Sequence, residues 1–416
     1  MAINTLPWHR KELVDISETE AAVACGDGTL LTLRKFKTAE VPEVSVKEVS
    51  KDVFVLENKQ LAIEVRGGCI TSLYDKVADR EVIPKGQKAN QFVIFDDKPL
   101  YWQAWDVEVY HLDSRVELPS GQTRILEQKG HRASIVTEVK ISDKSSMKTT
   151  ISLSAAVSGE QSHVEISSEV DWHETMKFLK VEFPVDVRNT EATYETQFGI
   201  VKRPTHYNTT WDMAKFEVCC HKFADLSENG YGVSILNDSK YGFATSGNLM
   251  RLSLLRAPKA PDAHADMGKH HIRWAIFPHQ GALGSSTVRK AFEFNNPLKV
   301  LSVYWDSEEA AVEHVKTPVR LTGDAALVLD TVKRGEDDED VSRGDLAPKK
   351  GRSVVLRVYD SLGGRARGTI QTDWDVKRVA KVNLLEDELE DIEIKDGKFD
   401  IELRPFEVAS YKLVVG

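Results

Sequence analysis

Short runs of alternating apolar and polar residues, each bounded by turn residues, recur along most of this chain. Residues 53–74 show the pattern most clearly, with three such runs separated by Glu57-Asn58 and Gly67-Gly68. Successive side chains of a β-strand point to opposite faces, so each run predicts a strand with one buried face. Similar runs follow at residues 92–95, 105–112, 123–128, 133–141, 148–157 and 162–172. No convincing helical period separates them, which predicts an all-β antiparallel sandwich and argues against alternating β-α-β units.

The length of 416 residues exceeds one ordinary hydrophobic core, so we predict several domains. They are a partial small β-domain over residues 1–45, a large β-sandwich over 46–300 and a small C-terminal β-sandwich over 301–416. A short helical candidate at 307–315 and a run of charge at 334–340, which we expect to be solvated, follow the second boundary. Because a strand pattern begins directly after Met-Ala, we expect the first domain to lack its beginning.

Charge and composition argue against several classes of function. The net charge of −10 argues against nucleic acid as a partner. No segment approaches a transmembrane span, and the first residues lack the basic and apolar regions of a signal peptide. The four cysteines show no paired spacing, so we predict reduced thiols. We therefore expect a cytoplasmic protein, or a vacuolar one delivered by a non-secretory route, with no membrane partner.

Residues 101–108, Tyr-Trp-Gln-Ala-Trp-Asp-Val-Glu, concentrate aromatic and acidic side chains. Because Pro99 precedes them, we expect the chain to enter this segment extended. On a strand, Trp102, Asp106 and Glu108 would share one face. An indole beside two carboxylates is suited to a sugar, whose C–H face meets the ring and whose hydroxyls meet the acids. The alternative is a core strand with buried aromatics and with its acids at the rim.

Three arrangements of acids and histidines could carry chemistry. Asp106 and Glu108 would lie about 7 Å apart on a strand, within the loose range for the two carboxylates of a glycosidase, but solvated strands show the same spacing. His111-Leu112-Asp113 reads H-x-D, and five further potential metal ligands fall within 16 residues, namely His264, Asp266, His270, His271 and His279. Their spacing matches no helix-borne zinc motif. We assign neither a catalytic residue nor a metal or cofactor to this chain.

Further short motifs occur in a specific order along the chain. They lie at residues 56–58, 71–76, 101–108, 196–206, 211–227, 231–242, 252–256 and 278–279. Through them the sequence resembles the C-terminal region of α-mannosidases of glycoside hydrolase family 38, in the cytosolic and fungal vacuolar branch. The resemblance covers essentially the whole chain. It implies a large mutarotase-like β-supersandwich followed by a small C-terminal β-sandwich.

The same resemblance implies that a complete enzyme hydrolyses terminal α-linked mannose with retention of configuration. That chemistry uses an aspartate nucleophile and a zinc ion held by an H-x-D pair, by that aspartate and by a later histidine. None of these can be placed in this sequence, and we expect them in a barrel upstream of the matched region. The chain is therefore expected to be non-catalytic and to meet mannose-containing oligosaccharides through that domain. A homo-oligomer is left open.

In this family the β-domain approaches the active-site cleft. By rough alignment, we predict that Tyr101, Trp102 and Arg256 reach it as a sugar platform and a hydroxyl clamp, with Asp106 and Glu108 as further substrate-facing residues. We expect Trp102 or Tyr101 to be only partly buried at the sandwich margin. A competing hypothesis is a stand-alone carbohydrate-binding or lyase-like β-sandwich, which needs an exposed aromatic platform.

Overall fold

The structure is a computed structural model that describes residues 1–17, 20–26, 30–37, 43–301, 318–339, 341 and 351–416. Strands dominate these residues. The helices described are α1 (Thr210–Met213), α2 (Ser285–Asn295) and a 3-10 helix at Val109–Ser114. The predicted all-β class is therefore confirmed. The helical candidate at 307–315 lies outside the described residues.

The strands are numbered in chain order. The first are β1 (Ala2–Ile3), β2 (Arg10–Asp15), β3 (Glu20–Gly26), β4 (Leu30–Lys37), β5 (Ser45–Ser50), β6 (Val53–Glu57), β7 (Leu61–Arg66), β8 (Cys69–Asp75), β9 (Arg80–Glu81), β10 (Gln91–Asp96) and β11 (Val116–Glu117). The next are β12 (Gln122–Lys129), β13 (Arg132–Lys140), β14 (Ser146–Ser154), β15 (Val164–Trp172), β16 (Lys177–Pro184), β17 (Glu191–Thr196), β18 (Gly199–Pro204), β19 (Val218–Cys219), β20 (Phe223–Glu228), β21 (Tyr231–Asn237), β22 (Gly242–Ser246) and β23 (Leu249–Arg256). The last are β24 (Gly268–Gln280), β25 (Lys299–Val300), β26 (Val319–Gly323), β27 (Leu327–Arg334), β28 (Arg352–Asp360), β29 (Ala366–Thr372), β30 (Val376–Val382), β31 (Glu388–Ile392), β32 (Lys398–Leu403) and β33 (Val408–Val415).

A large sandwich of two antiparallel sheets forms the centre of the molecule. The nine-stranded sheet has the order β12-β13-β14-β15-β24-β21-β20-β17-β18, and the six-stranded sheet has the order β11-β10-β16-β23-β22-β19. Both contribute to one buried core, in which the Phe92 and Trp274 rings meet edge to face at 5.9 Å. A third sheet, β5-β6-β7-β8-β9, adds its apolar residues to the same core. This core is the main source of hydrophobic stabilisation.

A smaller sheet stands at the N-terminal side, with the order β2-β3-β4-β1-β25. Ala2 pairs with Val300, so this sheet combines strands that precede the central sandwich in the sequence with one that follows it. The predicted domain boundaries at residues 45 and 300 stay predictions.

The C-terminal region is a second, smaller sandwich of the sheets β27-β28-β33-β30-β31 and β26-β29-β32. Its own core includes Leu356, Ile370 and Leu413, all fully buried. The run of charge at 334–340 is not wholly solvated as expected. Asp338 is buried and accepts hydrogen bonds from the Ser353 amide at 2.9 Å and from Arg334 at 3.0 Å. These donors offset the cost of burying the Asp338 carboxylate.

Candidate functional site

The outer face of the six-stranded sheet is covered by protein and is not open to solvent. Strand β16 alternates as expected, with Leu179, Val181 and Phe183 in the core and Phe178, Lys180 and Glu182 on the other face. All of these side chains are nevertheless buried. Val107 and Leu112 pack over Val93, Phe95 and Phe178, and Phe216 meets His111 at 6.0 Å between ring centroids. Residues 97–115 and 206–217 therefore form a second layer, which we call the loop layer.

Buried charges are paired within the six-stranded sheet and between the sheet and the loop layer. The Lys180 ammonium contacts the Glu217 carboxylate, which also accepts a hydrogen bond from the Ser253 hydroxyl. Burial alone would raise the pKa of the Glu217 carboxyl, but Lys180 and the hydrogen bonds together lower it below its usual range. Arg115 and Arg251 contact the Glu182 carboxylate at 2.6 and 2.7 Å. The network fastens the loop layer to the sheet.

Arg256, at the end of β23, fastens the first part of the loop layer. Its Nε and Nη2 atoms lie 2.7 and 3.1 Å from the Asp97 carboxylate. Nη2 also donates to the carbonyl oxygens of Gln103 and Asp106 at 2.8 and 2.7 Å. Bidentate pairing of this kind fixes geometry as well as charge. The contacts that Arg256 makes in this structure are with the Asp97 carboxylate and the protein backbone. The predicted contact between Arg256 and sugar hydroxyls stays a prediction.

Residues 101–108 form a turn, so the predicted strand is wrong. The amides of Trp105 and Asp106 donate to the Trp102 carbonyl at 2.7 and 3.1 Å, and Trp102 has a φ of 53°. Trp102, Asp106 and Glu108 therefore share no strand face. The physical reason is that a strand would place every second residue on the same face, and neither of the two resulting faces is buried. Tyr101, Trp102 and Trp105 are 74%, 77% and 86% exposed, so no packing selects an extended conformation.

The exposure expected of Trp102 and Tyr101 is found, and a further exposed aromatic belongs to the same layer. Trp211 lies on α1 and is 79% exposed. Thr209 caps α1, with reciprocal bonds of 3.1 and 3.2 Å to Asp212, so the indole is carried on an ordered turn. We call Tyr101, Trp102, Trp105 and Trp211 the aromatic rim. Sequence reasoning did not select Trp211 as a site residue, although the Thr-x-x-Asp capping pattern that encloses it was a usable signal for an ordered turn.

The two carboxylates of the predicted site differ in setting. Asp106 is exposed and Glu108 is half-buried. The Glu108 carbonyl contacts His111 Nδ1 at 2.6 Å, and the His111 ring packs against Phe95 and Phe178. Burial, reinforced by the Lys180 charge, lowers the pKa of His111 to about 4, so its imidazole is neutral at neutral pH.

The other histidines considered as metal ligands lie apart from one another. His279 is buried and contacts the Asp225 carboxylate at 2.7 Å, whereas His270 is near the surface, 2.7 Å from the Asp266 carbonyl. Among the residues that the structure describes, no three His, Cys, Asp or Glu side chains converge as a metal site would require. The described donor set therefore does not fit zinc. In the same part of the chain, no helix is long and apolar enough to cross a membrane.

Comparison with known proteins assigns both sandwiches. The model of the glycosyl hydrolases family 38 C-terminal domain matches residues 56–264, and that of the family 38 C-terminal beta sandwich domain matches residues 326–411. An alpha-mannosidase of Saccharomyces cerevisiae is 46% identical over 382 residues, which are 87% of this chain and 35% of that protein. Alpha-mannosidase 2C1 of Homo sapiens is 36% identical over 433 residues, covering 100% of this chain and 40% of that protein. The chain thus spans less than half the length of these relatives.

A solved structure extends the comparison to the fold. An alpha-mannosidase from Enterococcus faecalis V583 superposes on 99% of this chain and 55% of that chain, with a TM-score of 0.68 and 11% identity. At this identity the likeness concerns the fold alone. The predicted supersandwich followed by a small C-terminal sandwich is confirmed.

Proposed function

Because the chain belongs to glycosyl hydrolase family 38, by its C-terminal domains, we propose that it is the β-sandwich part of an α-mannosidase. The reaction proposed for the complete enzyme is hydrolysis of terminal α-linked mannose from oligosaccharides. The two relatives described above are alpha-mannosidases, which supports a mannosidase-related role and does not favour a stand-alone carbohydrate-binding or lyase-like module.

One observation supports a specific role for the aromatic rim. Trp102 is 77% exposed and holds a left-handed backbone conformation, which is costly for a bulky side chain. An exposed indole returns little packing energy to the fold, so neither its position nor its strain stabilises the sandwich. Strained residues of this kind concentrate at binding sites. We assign the rim to contact with the catalytic barrel that the family resemblance implies, and with the sugar bound there.

The geometry of the loop layer suits that role. Arg256, paired with Asp97, holds the backbone of residues 103–106, so Tyr101, Trp102 and Trp105 are presented on an ordered turn. Tyr101 and Trp102 offer flat faces to the C–H surface of a sugar, and Asp106 offers an exposed hydroxyl acceptor. The described residues do not fit zinc, so no zinc-dependent step is derived for this chain. We propose the cytoplasm, or the vacuole reached by a non-secretory route, as its location.

The test separates the chain alone from the chain with a catalytic partner. The purified chain is assayed with an aryl α-mannoside, alone and after co-expression with the part of the Saccharomyces cerevisiae relative that precedes the matched region. We expect no turnover by the chain alone and turnover by the pair. Trp102→Ala is expected to lower the restored rate about tenfold, the effect of losing one aromatic contact at an interface.

The matched control is Leu385→Ala, which shortens an apolar side chain that is 82% exposed in the C-terminal sandwich. It should leave the restored rate within about twofold, since it lies outside the proposed contact. Hydrolysis by the chain alone would contradict the proposed division of labour. Equal losses from Trp102→Ala and Leu385→Ala would contradict the role of the rim.

A further inference from the structure

A second concave site lies on the opposite outer face of the central sandwich. A cleft of about 600 Å³ stands over the outward residues of the nine-stranded sheet, including Ser167 and Arg273. One wall is residues 11–15 of the N-terminal sheet, a second is the loop that precedes β15, and a third is residues 290–300 from α2 onward. The volume falls in the range of small-molecule sites, about 300–1,000 Å³.

The charged groups around this cleft already have partners. Lys290 pairs with Glu293 at 2.8 Å, and Arg10 pairs with Glu12. Arg273 lies 3.6 Å from Glu165, and the Lys11 ammonium donates to the Ser158 carbonyl at 2.7 Å. A ligand therefore does not need to bring a charge to neutralise the walls.

Three neighbouring polar side chains line the cleft without such partners. The carboxyl of Glu160, the amide of Gln161 and the imidazole of His163 make no hydrogen bond or ion pair with any residue that the structure describes. Burial lowers the pKa of His163 to about 4, so its ring presents one donor and one acceptor at neutral pH. Burial also raises the pKa of the Glu160 carboxyl, which weakens its preference for a cation.

The loop that carries these side chains is held from behind. Gln60 Nε2 donates to the Glu160 carbonyl at 2.8 Å, and its Oε1 accepts from the Ser162 amide at 2.7 Å. Asn58 donates to the Ser162 hydroxyl at 3.1 Å. The backbone is thus satisfied on the side away from the cleft. The backbone that carries the three unpartnered side chains is held in place before any ligand arrives, which lowers the entropic cost of ordering the loop on binding.

We propose that this cleft binds a neutral polyhydroxylated ligand, such as a short oligosaccharide, through Glu160, Gln161 and His163. Sugar hydroxyls both donate and accept, and so match a row of unpaired amide, imidazole and carboxyl groups. Leu13, Leu298 and Val300 line the same cleft and provide aliphatic surface for the C–H groups of the ligand. The site lies on the face opposite to the aromatic rim, and the proposal does not depend on the proposed function.

The test uses the full chain and measures binding of α-1,2-linked mannobiose by saturation-transfer NMR and calorimetry. His163→Ala and Gln161→Ala are each expected to weaken binding at this site about tenfold, because each removes hydrogen bonds to the ligand. Glu160→Gln keeps a hydrogen-bonding group of the same shape and should change affinity by no more than about threefold. Leu385→Ala, at a residue that is 82% exposed in the C-terminal sandwich, is the matched control and should leave this affinity unchanged.

A substitution that fills the cleft tests the site without removing any of the side chains proposed to bind the ligand. Ser167→Phe places a ring on the floor of the cleft and should abolish binding while the thermal unfolding temperature stays near that of the parent chain. Absence of binding by the parent chain would overturn the proposal, as would binding that Trp102→Ala removes and Ser167→Phe does not. Mannose 6-phosphate serves as the charged probe, and an affinity more than about tenfold above that of mannobiose would show an anion site instead.

Discussion

The two outer faces of the central sandwich differ in how far their outward-pointing polar side chains are exposed to solvent. On the six-stranded sheet, Lys180 and Glu182 lie under the loop layer and are almost fully buried. On the nine-stranded sheet, the corresponding outward residues Glu165 and Arg273 remain partly solvated at the floor of a cleft. The first face therefore depends on exact charge pairing, whereas the second tolerates unpaired groups because water reaches them.

The difference also separates two kinds of binding surface. The covered face presents its function on top of the loop layer, as exposed aromatic rings supported by the buried charges beneath. The open face presents hydrogen-bonding groups directly inside a concavity. The first suits contact with a broad partner, and the second suits a small polar ligand.

The largest expected effect comes from removing a cation on each face. Lys180→Met should lower the free energy of unfolding by about 3–5 kcal/mol, because it leaves the buried Glu217 carboxylate without its partner. Arg273→Met at the cleft should cost about 1 kcal/mol, because the Arg273–Glu165 pair keeps 25% and 29% of its side chains exposed, where water can replace the lost contact. Urea unfolding of both variants measures this contrast. Equal losses would show that the two faces do not differ in solvation.

A second variant tests the reason for that loss. Glu217→Leu combined with Lys180→Met removes both charges and should recover most of the lost stability, since apolar replacement of a complete buried pair is often neutral. A double variant no more stable than Lys180→Met would point to the shape of the two side chains, and not to their charge.

The next effect concerns pH, because each face holds a histidine whose pKa is lowered to about 4 by burial. Between pH 6.5 and pH 4 the unfolded chain binds more protons than the folded one. The contribution of His111 is thus fully present above pH 6.5 and is lost as the pH falls toward 4. For His111, which faces Lys180, Glu217 and Asp97, the loss amounts to at most about 3 kcal/mol.

Replacing each histidine tests this window on both faces. His111→Leu and His163→Leu should each flatten the decline in unfolding free energy between pH 7 and pH 4.5 by a similar amount, because burial lowers the pKa of both imidazoles to about 4. Urea midpoints measured across this pH range provide the readout. A slope unchanged by His111→Leu would contradict the assignment of a neutral, buried imidazole.

A smaller effect distinguishes how the two functional loops are fastened. Arg256→Lys keeps the charge beside Asp97 but loses the fork that also reaches the Gln103 and Asp106 carbonyls, and it should cost about 1–2 kcal/mol. Gln60→Ala breaks two neutral bonds to the loop at residues 160–162 and should cost about 1 kcal/mol. Amide hydrogen exchange should quicken at Trp105 and Asp106 in the first variant only, and at Ser162 in the second only.

The fold was predictable from local pattern, and the sites were not, for a definite physical reason. Strand β15 alternates buried and more exposed side chains over its nine residues because one face meets the core, so its pattern is visible in the sequence. The conformation of residues 101–108 depends on Arg256, about 150 residues later, which no local pattern contains.

The same limit applies to the second face and to the buried charges. Lys180 occupies a strand position at which the alternating pattern predicts a solvated lysine. It is buried only because the loop layer, whose residues are distant in the sequence, covers it. The cleft is formed by β2, the loop before β15 and the end of α2, so no single segment of the sequence predicts it. Trp211 is the exception, since its capping pattern was local and could have been used.

The smallest effect tests whether the aromatic rim serves the fold at all. Trp102 holds a φ of 53°, where a side chain costs roughly 1–2 kcal/mol and glycine costs nothing. Glycine in turn loses up to about 1 kcal/mol by making the unfolded chain more flexible. Because the Trp102 indole is 77% exposed, its removal forfeits little packing, and Trp102→Gly should leave stability unchanged or raise it by up to about 1 kcal/mol. Trp105→Gly, at a residue that is 86% exposed and has no positive φ, lacks that relief and should lower stability by about 0.5–1 kcal/mol. If urea unfolding shows that Trp102→Gly destabilises the chain as much as Trp105→Gly, then the indole does contribute to the sandwich, and its exposure and strain no longer support a role in binding.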